Sequence, residues 1–144
     1  MKIYQGLTDF HPPKNAVVTS GTFDGVHLGH QSVIDLARQT AETISAPLGI
    51  LTFEPHPRSY FAPQSPAFRL MSSEARATRL AKLDVDLLYE LNFNTSLSSL
   101  TPREFAQNVI ADGLGLSHLS SLRFLSSVVS VLLLPSQRLH VAPY

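Results

Sequence analysis

Three short apolar runs stand out along the chain, and each has the length and composition of a buried strand. Residues 16–20 include the β-branched pair Val17 and Val18, which suits a packed, pleated backbone. Residues 48–53 are nearly all apolar, as expected for a parallel strand that is buried on both faces. Residues 85–91, which are apolar except for Asp86 and Glu90, form a third strand candidate. The pattern therefore predicts three strands at these positions.

Between and after these runs, the apolar positions repeat with helical spacing. One helix is predicted over residues 30–45, where the proline that follows ends it, and a second over residues 72–83. A third helix is predicted to begin after Thr101, which is followed by proline and, three residues on, by glutamate, and to end near Gly115. The apolar positions on the face of the first helix are Val33, Ile34, Ala37, Ala41 and Ile44.

The order strand, helix, strand over residues 16–53 is a βαβ unit, and such units are nearly always right-handed. We predict an α/β fold with a parallel sheet flanked by helices, in which ligands bind beyond the carboxyl ends of the strands. The first strand ends at a glycine-rich turn and the second at residues 54–57, so both segments are predicted to share one edge of the sheet. Residues 1–15 are expected to be a short strand or an arm, and residues 58–71 a loop.

The glycine-rich turn between the first strand and the first helix predicts a phosphate site. Gly21, Gly25 and Gly29 allow sharp bends and the close approach of a ligand. The start of the helix presents unpaired N–H groups and the positive end of the helix dipole. His27 and His30 can add imidazole donors at the same place. Two alternatives stay open, a metal site built on the His-x-x-His spacing and a purely structural turn.

Composition and charge set broad limits on function. The 144 residues suffice for one domain with a real core. Eleven basic and eleven acidic residues give a formal net charge of zero, which argues against a nucleic-acid partner or an anionic membrane surface. The absence of cysteine excludes disulfide and thiol chemistry. The N-terminus lacks a signal-peptide pattern, and the longest apolar run, residues 128–134, is far shorter than a membrane-spanning helix, so a cytoplasmic protein is expected.

Three segments together carry a family resemblance. The first is Gly21-Thr22-Phe23-Asp24-Gly25-Val26-His27-Leu28-Gly29-His30-Gln31. The second is Thr52-Phe53-Glu54-Pro55-His56-Pro57, and the third extends from Asp86 to Phe105. Over about residues 14–118 the chain resembles the FMN adenylyltransferase module of bacterial bifunctional riboflavin kinase/FAD synthetase, one of the nucleotidyltransferases with a His-x-Gly-His motif. The first motif alone is shared by many nucleotidyltransferases, and the second makes the resemblance more specific.

The resemblance implies a Rossmann-like nucleotidyltransferase fold. It also implies a reaction in which the FMN phosphate attacks the α-phosphorus of ATP in the presence of Mg²⁺, giving FAD and pyrophosphate. His27 and His30 then have catalytic roles at the ATP phosphates, and no protein side chain is implied as a metal ligand. Asp24 is open to three interpretations: it orients a histidine, approaches a magnesium-bound water, or forms the turn. The implied ATP-binding residues are Ser20, Gly21, Phe23, Asp24, Gly25, His27, Gly29 and His30.

The flavin side of the site is expected at residues 55–57. This loop is stiff, because both of its prolines fix φ and restrict the residues before them. By resemblance it helps to form the flavin pocket, with an aromatic partner a few residues further on. Leu97 and Phe105 are weaker candidates, for which packing in the core is the alternative. The implied FMN-binding residues are Pro55, His56, Pro57 and Phe61.

The resemblance stops near His118, and the character of the chain changes there. No acidic residue occurs in residues 113–144, and neither the later ATP-contacting elements of the family nor its riboflavin kinase module is recognisable. We expect residues 1–118 to form a partial nucleotidyltransferase domain, incomplete at its C-terminus and without riboflavin kinase activity. Residues 119–144 are expected to be a divergent tail, frameshifted or disordered. Two alternative functions stay open: a non-catalytic remnant that at most binds nucleotide, and a nucleotidyltransferase with another phosphate-bearing acceptor.

Overall fold

A single mixed sheet organises the computed structural model, which describes residues 1–6, 11–121, 130–133 and 139–142. Its seven strands lie in the order β1-β4-β3-β2-β5-β6-β7. The first five of these are parallel, and the last two pairings are antiparallel. The strands are β1 (Lys2–Gln5), β2 (Val17–Ser20), β3 (Leu48–Glu54), β4 (Leu87–Asn92), β5 (His118–Ser121), β6 (Ser130–Leu133) and β7 (Leu139–Ala142).

Helices cover both faces of the parallel part of the sheet. The described helices are α1 (Leu28–Thr43), α2 (Pro57–Phe61), α3 (Ser73–Ala81), α4 (Thr95–Ser98), α5 (Pro102–Glu104) and a π-helix (Phe105–Leu114). One core joins apolar residues of α1 and α3 to one face of β2, β3 and β4. A second core joins the π-helix to the other face. Within the described ranges, no helix has both the length and the hydrophobicity to cross a bilayer.

The predicted α/β fold with a parallel sheet is confirmed, and so are its main elements. β2, β3 and β4 occupy the three apolar runs, because each strand is buried on both faces as its composition requires. α1 buries Ile34, Ala37 and Ala41 on its predicted apolar face. The capping box is also present, since the Glu104 carboxylate accepts from the Thr101 amide at 2.8 Å and the Thr101 hydroxyl accepts from the Glu104 amide at 3.3 Å.

Two short helices differ from the sequence-based expectation. Residues 58–71 were expected to form a loop, but α2 occupies Pro57–Phe61. A proline at the first position fixes a helical φ, and the His56 ring accepts a hydrogen bond from the Arg58 amide at 3.0 Å, which caps the turn. α4 has no counterpart among the predicted elements and is capped by the Asn94 side chain, which accepts from the Leu97 amide at 2.9 Å.

The C-terminal part continues the sheet. β5 begins at His118 and pairs in parallel with β2, so it adds a fifth parallel strand where the resemblance was expected to end. β6 places Ser130–Leu133 of the apolar run 128–134 in a strand, and β7 pairs with it. Residues 122–129, 134–138 and 143–144 lie outside the described residues, so the expectation of a frameshifted or disordered tail stays a prediction for them.

Gly49 occupies a position in β3 where a side chain does not fit. A Cβ there would lie 2.9 Å from Val18 Cγ2 and 3.2 Å from Tyr89 Cε2. We therefore expect Gly49→Ala to lower the free energy of unfolding by about 1–3 kcal/mol through overpacking, as measured by urea denaturation. Gly113→Ala, at an exposed position of the π-helix, is the matched control and should be neutral or stabilising. Equal stability of the two variants would contradict this description of the core.

Candidate functional site

The turn between β2 and α1, residues 20–30, is here called the glycine corner. β2 ends at Ser20, which is 5% exposed, and Gly21 donates its amide to the carbonyl of Leu51 in β3 at 3.0 Å. His27 precedes α1 in an extended conformation, and its side chain makes no capping hydrogen bond. The first-turn amides of α1 therefore lack a side-chain cap at the positive end of the helix dipole, which is an arrangement that binds anions.

The backbone of the glycine corner bends sharply and is held from below by the core. Phe23, Gly25 and Val26 have φ values of 48°, 81° and 42°, in the left-handed region. Such a conformation costs about 1–3 kcal/mol for a residue with a side chain and persists only where packing enforces it. Phe23 and Val26 supply that packing, because both are fully buried. Phe23, predicted to line the ATP site, thus lies in the core beneath the corner.

The two histidines of the corner lie together. The ring centroids of His27 and His30 are 3.8 Å apart with an angle of 26° between the planes, so the imidazoles stack. His27 is exposed, whereas His30 is 8% exposed and rests on Phe23 with 5.1 Å between ring centroids. His30 Nδ1 is buried and has no hydrogen-bond partner among the described residues. The predicted juxtaposition of the imidazoles at the helix start is therefore present in the structure.

Burial changes the acid–base behaviour of His30. Desolvation lowers the pKa of His30 below its ordinary value of 6.5, and the neighbouring His27 lowers it further, while the charge of Asp24 raises it by less. A stack of two imidazoles cannot easily hold two positive charges, so the free protein favours the neutral ring of His30. The approach of an anionic phosphate opposes the desolvation and favours the protonated ring.

The lowered pKa of His30 predicts a pH dependence of folding. The unfolded chain takes up a proton on this ring near pH 6.5, before the folded chain does. The stabilisation linked to the neutral ring is fully present above pH 6.5 and is lost as the pH falls through the lowered folded-state pKa. We expect the loss of stability on acidification to be smaller in His30→Gln, as measured by urea denaturation on both sides of pH 6.5. Identical pH profiles of variant and parent would contradict it.

Asp24 makes contacts outside its own turn. Its two carboxylate oxygens accept hydrogen bonds from the Leu70 amide at 3.0 and 2.9 Å, and one of them also accepts from the Met71 amide at 3.2 Å. Of the three interpretations of Asp24, this geometry favours a structural role, although the partner lies 46 positions away in the chain and not in the local turn. Asp24 thus ties the glycine corner to the loop that precedes α3.

A cluster of four charged residues lies at the same edge of the sheet and was not predicted. The charge cluster consists of Glu54, Arg69, Arg76 and Glu90. Arg69 donates to both carboxylate oxygens of Glu54, at 2.5 and 2.9 Å. Arg76 donates to Glu54 at 3.2 Å and to Glu90 at 2.8 Å. Arg76 and Glu90 are only 2% and 6% exposed, so their charges depend on each other for solvation.

The charge cluster keeps Glu54 ionised. Burial raises the pKa of the Glu54 carboxyl, but the hydrogen bonds and charges of Arg69 and Arg76 outweigh it and hold the pKa below its usual range. One signal in the sequence points to this arrangement, because Arg76 stands one helical turn before Leu80 on the face that α3 buries. A charged residue on an apolar helix face requires a buried partner of opposite charge.

Five aromatic side chains gather beside the loop at residues 55–57. Phe53 contacts Phe93 with 5.7 Å between ring centroids, and Phe93 contacts Tyr60 at 5.3 Å and Phe61 at 5.6 Å, all edge to face. Phe61 remains 69% exposed. This aromatic cluster consists of Phe53, Tyr60, Phe61, Phe93 and Phe105. The exposed ring of Phe61 thus packs on the other aromatic side chains of the cluster, next to the loop at residues 55–57 where the flavin is predicted to bind.

The loop at residues 55–57 is fixed by contacts at His56. The His56 ring caps α2 through the Arg58 amide and packs edge to face on Phe68 with 4.9 Å between centroids. Burial lowers the pKa of His56, and the charge of Arg69 lowers it further. Pro55 is exposed, and Pro57 begins α2. Leu97 and Phe105, the weaker flavin candidates, pack against the core, as their alternative interpretation has it.

The structure thus brings the two predicted halves of the site to one edge. β2 and β3 are parallel neighbours, so the glycine corner and the loop at residues 55–57 follow the carboxyl ends of adjacent strands, as predicted. The sequence did not indicate the links between them through Asp24 and Arg69. Among the described residues, no group of three or more histidine, aspartate or glutamate side chains is arranged to hold a metal ion.

A parallel α/β sheet with an uncapped helix start and paired imidazoles at its carboxyl edge defines an α/β protein with a candidate anion site at that edge. Residues 9–121 match the FAD synthetase family, and the chain belongs to this family. It is 38% identical over 120 residues to a bifunctional riboflavin kinase/FMN adenylyltransferase of Pseudomonas fluorescens, and 38% identical over 104 residues to one of Listeria monocytogenes. These alignments cover 83% and 72% of this chain but 38% and 33% of those proteins.

A solved structure agrees on the fold. The crystal structure of a protein from Streptococcus pneumoniae described as a macrolide-efflux protein superposes with a TM-score of 0.72 at 26% sequence identity. The match covers 83% of this chain and 46% of that one. The fold and the family assignment therefore agree.

Proposed function

We propose that this chain transfers the adenylyl group of ATP to FMN, giving FAD and pyrophosphate. The observation that carries the proposal is the stacked pair His27 and His30 at the uncapped start of α1. This pair lies on the same sheet edge as the stiff loop and the exposed aromatic ring of Phe61. Family membership and the relatives named above support this choice of substrates. A reaction that consumes ATP is expected in the cytoplasm.

For this reaction the protein must hold the two substrates in position and stabilise the charge that develops on the phosphate oxygens. A phosphate oxygen of FMN forms a bond to the α-phosphorus of ATP, the bond from that phosphorus to the bridging oxygen breaks, and pyrophosphate leaves with the electron pair. The first-turn amides of α1, with His27 and His30, hold the triphosphate and stabilise the charge that grows on its oxygens. Mg²⁺ accompanies ATP as a phosphate-bound counterion, which requires no cluster of protein ligands. No covalent bond to the protein is needed.

The aromatic cluster supports a flavin as the acceptor. Stacking or edge contact with an exposed aromatic side chain stabilises the binding of a flat, apolar ring system. Phe61 is such a side chain, and its ring packs against Tyr60 and Phe93. The prolines on either side of His56 keep the adjacent wall in one conformation, so little entropy is lost when a ring binds. The phosphate of such an acceptor would then point toward the glycine corner.

Incubation with ATP, Mg²⁺ and FMN tests the proposal, with chromatography to detect FAD and an enzyme-coupled assay to detect pyrophosphate. We expect the two products in equal amounts. Riboflavin in place of FMN is the control and should give no adenylylated product, because it lacks the attacking phosphate. Nucleotide binding without turnover would select the non-catalytic remnant, and turnover only with a different phosphate-bearing acceptor would select the other nucleotidyltransferase.

A further inference from the structure

Residues 69–71 join the two halves of the site and are here called the bridge segment. At one end, the amides of Leu70 and Met71 donate to the carboxylate of Asp24 in the glycine corner, at 2.9 to 3.2 Å. At the other end, the Arg69 guanidinium pairs with both oxygens of Glu54. Glu54 directly precedes the loop at residues 55–57. Three consecutive residues thus contact the glycine corner after β2 and the last residue of β3, which directly precedes the loop at residues 55–57.

The contact between the bridge segment and the glycine corner is close as well as polar. A Cβ on Gly25 would lie 3.1 Å from the Leu70 Cδ1 atom, and the φ of Gly25 is 81°, a value that favours glycine. The corner and the bridge segment are therefore packed directly against each other at Gly25 and Leu70. His27 lies three residues after Asp24, so a displacement of this turn reaches the imidazole pair directly.

Asp24 is poorly placed to bind a nucleotide itself. Both of its oxygens already accept hydrogen bonds from backbone amides, and a carboxylate repels the oxygens of a triphosphate. Its charge stabilises two amides of the bridge segment through charge-assisted hydrogen bonds. The hydrogen bonds of Asp24 thus fix the position of the corner, while its charge also favours the protonated ring of His30.

We propose that Asp24 is a positioning residue, and that the bridge segment couples occupation of the flavin side to the geometry of the imidazole pair. The proposal rests on the proposed function for the identity of the two ligands. When FMN binds against the loop at residues 55–57, it limits the motion of Glu54 and of its partner Arg69. The bridge segment then becomes more rigid, and so does the Asp24 carboxylate that its amides hold. Because coupling between two ligands is reciprocal, the nucleotide strengthens FMN binding by the same factor.

Equilibrium binding of Mg²⁺ with α,β-methylene-ATP, which cannot transfer its adenylyl group, tests the coupling without turnover. Calorimetry in the absence and presence of saturating FMN gives the coupling factor, which we expect to be about 5-fold or more in the parent chain. In Asp24→Ala, nucleotide affinity without FMN should fall about tenfold and the coupling factor should approach one. Asp24→Asn, which keeps one acceptor oxygen, should lie between the two.

Two further variants separate positioning from a general effect on folding. Arg69→Met breaks the other end of the bridge segment and should also remove the coupling. Asp35→Ala, at an exposed position on α1 with a single 3.8 Å ion pair to Arg38, is the matched control and should bind and couple as the parent does. All variants are compared at temperatures below their unfolding transitions, followed by circular dichroism.

The outcomes are distinct. The inference would be overturned if Asp24→Ala kept the coupling factor of the parent chain. It would also be overturned if FMN did not change the nucleotide affinity of the parent chain. A chain that binds both ligands with coupling but forms no FAD would overturn the proposed function and leave the inference standing. A chain that binds no nucleotide would overturn both.

Discussion

Replacement of His30 by alanine reduces the rate of FAD formation by a factor of about 10²–10³, the usual cost of removing one group that stabilises charge on a phosphoryl or acyl oxygen. His30 is suited to this role because its ring stacks on His27 at the start of α1, and its Nδ1 has no hydrogen-bond partner in the part of the chain that the structure describes. The rate is measured at saturating ATP and FMN, so that a change in the chemical step is separated from a change in binding.

His118 provides the matched control for this prediction. It pairs with Val17 at the start of β2, at the end of the sheet opposite the glycine corner, and its ring contacts the Ser117 hydroxyl at 3.2 Å. His118→Ala should keep the parent rate. Because His30 is buried, the unfolding transition of each variant is recorded as well. A folded His30→Ala chain that works within about threefold of the parent rate would remove this residue from the proposed mechanism.

Replacement of Arg76 by methionine is the largest expected change in stability, a loss of about 3–5 kcal/mol in the free energy of unfolding. Arg76 is 2% exposed and Glu90 is 6% exposed, so the variant leaves a buried carboxylate without its strongest partner. Gln5 remains as a described partner of Glu90, at 3.4 Å, which is too long to replace an ion pair. Glu54 is less affected, because it keeps both hydrogen bonds to Arg69.

Two comparisons make the Arg76 prediction specific. Arg79→Met changes an exposed arginine of the same helix and should alter stability by no more than about 0.5 kcal/mol. The double variant Arg76→Met, Glu90→Gln removes the isolated charge and should be more stable than Arg76→Met alone. Strictly additive losses in the double variant, measured by urea denaturation, would show that the charges do not depend on each other.

The local elements were predictable because their signals are local. β2 and β3 are indicated by their short, mainly apolar or β-branched sequences, and α1 by its apolar spacing. The pairing of His27 with His30 follows from their separation of three residues at a helix start. The location of the glycine corner and of the loop at residues 55–57 at one edge of the sheet was predictable from topology alone, because neighbouring parallel strands have their carboxyl ends at the same edge.

The links between the loops were not predictable because they depend on distant parts of the chain. Asp24 and Leu70 are 46 positions apart, and Arg76 of α3 contacts Glu90 of β4 only once α3 is packed on the face of the sheet. β1 pairs with β4 at the edge of the sheet, across more than 80 positions, and no local pattern indicates that choice. Phe93 joins the aromatic cluster because β4 lies beside β3, which places Asn92 opposite Glu54.

The central claim is that His27 and His30 together receive a triphosphate. Proton–carbon correlation spectra of the six histidine rings, recorded as Mg²⁺ and α,β-methylene-ATP are added, test it most directly. We expect the His27 and His30 signals to move together and saturate, the pKa of His30 to rise toward its ordinary value, and the His118 signal to stay in place. Saturation of the protein with nucleotide while the His27 and His30 signals remain unchanged would contradict the account.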